Sequence, residues 1–292
     1  MILGEYKNSR FFYKILQLIA ATFFAIICMT VLTTLLTDSD LQNTNSVKQM
    51  QLIQSLFLFV LVPFLMAYLW SESPLHYLQL KTKTKFSNYI LVAITMIVAI
   101  PFINLLTGLN KQLSLPDALS PLENWMKATE IQLETITLRI LNVHTIQDLI
   151  VNLMLVAVLA GLGEELFFRG IIQKILGEKR NAFIAIWVAA FIFSTIHLQF
   201  YGFFPRLLLG AFFGYLLVWS NNLWLPILAH TLNNAIGVVF YYLSFNGVKV
   251  PNIDTIGTGD TIYLGVISAI LTVFCIVKLQ RDLRTNNNIV IS

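Results

Sequence analysis

LIVNLMLVAVLAGLGEELFFRG, residues 149–170, sets two carboxylates and a guanidinium in a run that otherwise reads as membrane. A bilayer-spanning helix needs roughly 20 mostly apolar residues. This stretch, continued by IIQKIL, supplies them. Glu164, Glu165 and Arg169 therefore fall at bilayer depth. Ionisable groups are costly there and are functional candidates by default.

The rest of the chain agrees with a membrane reading. Its 292 residues are 57% hydrophobic and 12% charged, with mean hydropathy +0.74. Soluble domains are about 45–50% apolar and about 25% charged. The pattern gives an all-α polytopic membrane protein with about eight spans, near 15–37, 52–70, 88–107, 149–176, 182–200, 203–220, 223–245 and 261–279. The first apolar run is too long for a signal-peptide core and no small-x-small cleavage site follows it, so a retained span is expected. Cys28 and Cys275 both fall in spans and imply neither a disulfide framework nor a CxxC metal site. No basic stripe with interleaved aromatics lies outside the spans, so a nucleic-acid partner is not expected.

The distribution of charge says more than its sum of +4. Lys7, Arg10, Lys14, Lys81, Lys83, Lys85, Lys174, Lys179, Arg180, Lys278, Arg281 and Arg284 occupy alternate connections. Lys48, Lys111, Lys127, Arg139 and Lys249 lie in the others, with the acids Asp38, Asp40, Asp117, Glu123, Glu130, Glu134, Asp148, Asp254 and Asp260. The excess of Lys and Arg marks the cytoplasmic side. Both termini are then cytoplasmic, and a bacterial inner membrane suits the pattern.

Three regions are expected: 1–147 with three spans and an amphipathic helix, 148–245 as the core, and 246–292 with the last span and tail. The amphipathic helix is SPLENWMKATEIQLETITLRIL, residues 120–141. Ser120 stands where a cap belongs, Pro121 at the first helical position and Glu123 three after the cap. Trp125, Met126, Leu133, Ile136 and Ile140 give it a face for the membrane surface. Pro63 and Pro101 fall inside spans, where a kink is expected. Gly210 and Gly214 form a GxxxG pair that favours close helix approach.

Polar residues recur in two more spans: His197 in FSTIH, and His230 with Asn234 in HTLNN. Glu165 and Arg169 are i and i+4, so they share a face and can pair. Glu164 points about 100° away and is left for another use. A carboxylate with little solvent suits a general base or acid. Phe193 precedes His197 by four and can wall the same face. His230 and Asn234, also four apart, can offer donors to an oxyanion. At ~1.5 Å per residue, Glu164 lies about 18 Å from the cytoplasmic end of its helix, His197 about 24 Å, and His230 and Asn234 about 10 and 16 Å. They can converge near mid-membrane in a bundle of spans four to seven. A single cluster would read as a structural polar network. Clusters in three spans read as chemistry. A proton-coupled transporter is a weaker account, because the halves show no repeat.

The set EE-xxx-R (Glu164, Glu165, Arg169), F-xxx-H (Phe193, His197) and H-xxx-N (His230, Asn234) resembles the CAAX-protease and bacteriocin-processing family, which includes the type II CAAX prenyl endopeptidases. The resemblance covers roughly 148–245, with all three motifs complete and in order. It implies an intramembrane endopeptidase in which Glu164 activates water. His197, His230 and Asn234 would shape the site and oxyanion hole, and Glu165, Arg169 and Phe193 would orient it. Implied partners are the lipid bilayer and a membrane-protein or lipidated-peptide substrate. The family is often labelled metalloprotease, and Glu164, His197 and His230 would be the ligands if zinc is used. HExxH is absent, and a general-base glutamate with no metal is equally compatible with these residue types; no required cofactor is the expectation, with zinc the alternative. The alternative is a non-catalytic membrane scaffold with the same fold.

Overall fold

The computed structural model describes residues 3–37 and 43–290, with no side chains described for 285–290. Asp38 and Asp40, placed above on the acid-rich side, lie outside the described residues. Among the described residues nine long helices carry the fold. They are α1 (Phe11–Leu36), α2 (Thr44–Trp70), α3 (Phe86–Lys111), α4 (Ser120–Leu141), α5 (Ile146–Gly177), α6 (Ala182–Ile196), α7 (Phe203–Ser220), α8 (Trp224–Phe245) and α9 (Ile262–Val290). The protein is an all-α polytopic membrane protein.

Helices occupy all eight expected span positions. By length and composition, six regions can cross a membrane: α1, α2, α3, α5, α7 with the turn before it, and the described part of α9 with its leading turn. The other two fall short for physical reasons. Helix α6 has only 15 residues, and α8 carries His230, Asn233 and Asn234 within an otherwise apolar run. Large side chains such as Phe12, Phe23, Phe24 and Leu35 on α1 are exposed. A continuous apolar exterior of this kind is matched by lipid rather than water.

Helix α5 runs through the middle of the bundle against α2, α6 and α8, and small residues set the spacing. A Cβ on Gly161 would lie 2.6 Å from Thr231 Oγ1 of α8, and one on Gly163 would lie 2.8 Å from Phe59 of α2. Gly214 fulfils the expected close approach: a Cβ there would meet Gln173 Oε1 at 2.6 Å and Ile186 at 2.9 Å. Helix α5 widens into π-type turns over Leu153–Leu159 and Leu166–Gln173, on either side of Ala160–Glu165. Such turns recur at functional sites because they re-aim the side chains beyond them.

Each proline has a local accommodation. Pro63 follows directly on a π-type stretch, Ser55–Leu61. Near Pro101, the Ser268 hydroxyl of α9 donates to Val98 O and accepts from Phe102 N, entering the opened hydrogen-bond ladder.

Hydrogen bonds gather the connections into two ends. At one, Lys14 pairs with Glu178, Gln79 bonds Asn221 at 2.6 Å, and Asn222 reaches Thr82 O at 2.6 Å. At the other, Asn104 bonds Ile253 O, Asn110 bonds Phe200 O, and Asn246 bonds Val143 O.

Helix α4 departs from the sequence reading at two points. Ser120 is itself helical and no side chain caps this terminus; a 3₁₀ turn, Asp117–Leu119, leads in instead. Glu123 pairs with Lys127 at 2.8 Å rather than completing a capping box. Ile140, expected on the membrane-facing side, is buried, because α4 ends against the start of α5.

Gly214→Val is expected to lower stability by about 1–3 kcal/mol through overpacking. Thermal unfolding in detergent checks this, and an unchanged midpoint would contradict the close packing described.

Candidate active site

Helix α5 presents two adjacent carboxylates to different surroundings, as one residue of helix rotation requires. Glu165 is fully buried. Its Oε1 accepts from Arg169 Nη1 at 2.8 Å and lies 2.8 Å from His230 Nδ1. Arg169 Nη2 donates to Gly210 O at 2.8 Å, and its guanidinium lies over the rings of Phe193 (4.7 Å) and Phe213 (5.5 Å). A Cβ on Gly210 would lie 3.1 Å from Arg169 Nη2, so the small residue keeps room for the cation. One buried arginine thus ties α5 to α7, and its carboxylate partner ties α5 to α8.

Glu164 has no such commitment. Its Oε2 is buried without a hydrogen-bond partner and lies 3.8 Å from His197 Nε2 and 3.9 Å from His230 Nε2. These gaps are too long for direct hydrogen bonds, and one water can span them. The partners of the other ring nitrogens assign the tautomers. His197 Nδ1 lies 2.7 Å from Phe193 O, and His230 Nδ1 faces Glu165, so both Nδ1 atoms carry the proton. Each Nε2 then offers a lone pair toward Glu164.

The span expected over 182–200 ends early. Helix α6 stops at Ile196, His197 forms its C-terminal boundary, and Leu198 adopts a left-handed φ of 54°. The imidazole satisfies a carbonyl that the helix end leaves free. The F-xxx-H spacing keeps its meaning: the two rings meet edge to face at 4.8 Å. Phe213 stacks on His230 at 5.3 Å.

Asn234 Nδ2 donates to Val156 O at 3.0 Å, and its Oδ1 accepts from Asn233 at 3.2 Å. Its second N–H remains available. Glu164, His197, His230, Asn234 and Phe193 all line one cavity of about 470 Å³, whereas Glu165 and Arg169 stand behind its wall. The seven residues singled out in the sequence therefore meet, five on the cavity and two supporting it.

The same cavity is lined by Arg206, Gln199, Asn233 and Tyr241, which had no assigned role. Arg206 Nη2 bonds Gln199 Oε1 at 2.5 Å. Its signal was present in the sequence, since a cation at bilayer depth is costly wherever it falls. Gln199 and Tyr241 carried none.

Two imidazole nitrogens and a carboxylate are zinc-type donors. Tetrahedral zinc bound at about 2.0–2.1 Å sets its donors about 3.3 Å apart, closer than the 3.8 and 3.9 Å found. Among the described residues no three His, Cys, Asp or Glu side chains group to hold a metal. As arranged, the set does not fit zinc, and no step below is routed through a metal.

A free carboxylate oxygen and two imidazoles thus face a cavity sunk among membrane-spanning helices. Comparison with known proteins adds a family resemblance. Residues 146–236 match the family described as "Type II CAAX prenyl endopeptidase Rce1-like". A protein of Bacillus subtilis (strain 168) named "Putative membrane peptidase YdiL" is 31% identical over 102 residues, 34% of this chain and 42% of that protein. The chain thus spans less than half the length of that curated relative. No solved structure matches it. The matched segment runs from α5 into α8 and holds every motif residue, so the resemblance to the CAAX-protease and bacteriocin-processing family holds over it.

Arg169→Lys is expected to destabilise the fold by about 3 kcal/mol. An ammonium cannot reproduce the planar fork that reaches Glu165 and Gly210 together, and breaking a buried pair costs about 3–5 kcal/mol. The unfolding midpoint in detergent measures it; a midpoint equal to wild type would contradict the bridging role.

Proposed function

We propose that this chain is an intramembrane peptidase in which Glu164 activates water for attack on a peptide bond. The observation that carries the reading is the Glu164 carboxylate, free of hydrogen bonds and set in a cavity against two imidazole lone pairs, while its neighbour Glu165 lies off the cavity and engages Arg169 and His230 through Oε1. A water held in the gap donates one hydrogen to Glu164 and the other to an imidazole Nε2. Glu164 takes the water proton as the oxygen forms its bond to the carbonyl carbon. The second N–H of Asn234 faces the oxyanion that develops. Glu164 then returns the proton to the leaving amide nitrogen as the C–N bond breaks. Charge-stabilising donors of this type contribute most when they are fixed beforehand, and Asn234 is held by Val156 O and Asn233.

Glu165, Arg169 and Phe193 orient the site in this scheme, because each holds a histidine or its helix in place. The cycle uses protein groups alone, and activity is expected to survive chelation. The substrate is a peptide segment of a membrane-associated protein, and the bilayer is the working medium. On this reading the chain works in a bacterial cytoplasmic membrane with its basic end and both termini inside, which the excess of Lys and Arg in alternate connections supports.

Positioned acid–base catalysis contributes typically 10²–10⁴-fold, so Glu164→Gln is expected to remove at least about 99% of cleavage at matched abundance. New peptide termini are compared in membranes lacking the protein, carrying wild type, or carrying Glu164→Gln. Termini that appear with wild type and vanish in the other two support the assignment and name the substrate. Identical termini in wild type and Glu164→Gln contradict it and favour the scaffold reading. Wild-type-dependent termini that disappear on chelation would contradict the metal-free scheme.

A further inference from the structure

The residues that line the cavity lie toward one end of the bundle. Helix α5 lines it with Val156 and Glu164 and with nothing beyond, whereas α8 lines it from His230 onward to Tyr241. Helix α6 contributes its last turn, and α7 contributes its first half. Toward the opposite end, α5 continues into Leu166, Phe168 and Ile171. These pack with Phe193, Leu217 and Leu223 in a buried core that separates the cavity from a smaller hollow of about 250 Å³ beside Gln173, Lys174 and Asn221. The open end holds the 197–203 turn and the 246–261 connection, and Tyr241 Oη of α8 donates to Asp254 of that connection at 2.7 Å. A second hollow of about 310 Å³ adjoins it under α4, between Ser114, Met126 and Tyr201.

Charge separates the same two ends. Lys14, Lys81, Lys83, Lys85, Lys179 and Arg180 belong to the opposite end, which the Lys14–Glu178 pair and the 79–82 to 221–224 contacts assemble. The open end carries Glu123, Glu130, Glu134, Asp254 and Asp260 beside a smaller basic set, Lys111, Lys127, Arg139 and Lys249, with Glu130 accepting from Tyr201 N at 3.3 Å. Lys and Arg in short connections mark the cytoplasmic side, and acids contribute little to orientation. The opposite end is therefore the inner one.

We infer that the cavity opens to the extracytoplasmic face, and that its substrates are segments presented from that face: exported peptides, or juxtamembrane stretches of membrane proteins on the outer side. Cytoplasmic tails are not delivered to it. The word substrate rests on the peptidase reading; the direction of the opening does not.

Single cysteines in a chain with Cys28→Ala and Cys275→Ala test this in its own membrane, with a membrane-impermeant maleimide applied to cells whose cytoplasmic membrane is sealed. Lys249→Cys and Ser114→Cys report the open end, Gln199→Cys the cavity mouth, and Lys179→Cys the opposite end. Ser114 and Lys249 are exposed, so their replacement leaves the core untouched. The expected result is labelling of Lys249→Cys, Ser114→Cys and Gln199→Cys without permeabilisation. Lys179→Cys should label at least tenfold more after permeabilisation. The inference is overturned if Lys179→Cys labels in sealed cells while Lys249→Cys and Ser114→Cys do not. It is equally overturned if Gln199→Cys in folded protein stays unlabelled after permeabilisation, or labels only together with Lys179→Cys. Labelling reads no cleavage, so this outcome is independent of the comparison of termini that tests Glu164.

Discussion

The buried pair of Glu165 and Arg169 is the interaction on which the site depends. Neither charge has solvent to fall back on, and a lone ion at this depth would be prohibitive. The pair is neutral as a unit, yet it does more than cancel charge. The guanidinium fork also reaches Gly210 O on α7, and the carboxylate also meets His230 on α8. Three helices are thereby registered against one another by two side chains. The aromatic rings of Phe193 and Phe213 complete the enclosure over the cation. Close approach of α7 is possible only because Gly210 and Gly214 present no side chain.

This arrangement explains why two adjacent glutamates have different fates. Helix rotation turns Glu165 into the pair and leaves Glu164 facing the cavity. The π-type turns on either side of Ala160–Glu165 set the aim of the rest of α5, Arg169 included. The histidines are fixed from behind as well, one by Phe193 O and one by Glu165, so their Nε2 lone pairs point where the proposed water sits. Fixed donors and acceptors of this kind need no reorganisation during a reaction.

Much of this was legible before any coordinates. The i, i+4 spacing of Glu165 and Arg169 announced their contact, and the cost of polar groups in a bilayer singled out His197, His230 and Asn234. Depth was harder to read. Counting residues along uniform helices spread the clusters over several turns, because it assumed a full-length helix over 182–200 and no π-type turns in α5. Helix α6 ends at Ile196 instead, and its histidine works as a terminal group. The absent cap at Ser120 has a similar origin, since a 3₁₀ turn supplies the entry that a side chain was expected to provide. Arg206 is marked in the sequence too, as a cation close to bilayer depth. Gln199 and Tyr241 are placed by tertiary packing, and nothing in local spacing marks them. The lower apolarity of α8 has a local source, for His230, Asn233 and Asn234 interrupt its hydrophobic run.

The division of labour between the two glutamates is the centre of this account, and their separate effects on folding test it most directly. Thermal unfolding midpoints of Glu164→Gln and Glu165→Gln should be measured side by side in one detergent. Removing the partner of a buried arginine leaves an uncompensated charge and costs about 3–5 kcal/mol, so Glu165→Gln should unfold well below wild type. Glu164→Gln replaces an unpaired buried carboxylate by a neutral group of the same size, and should unfold at or above the wild-type temperature. The reverse order, with Glu164→Gln destabilised and Glu165→Gln unaffected, would show that the structural and chemical roles have been assigned to the wrong residues.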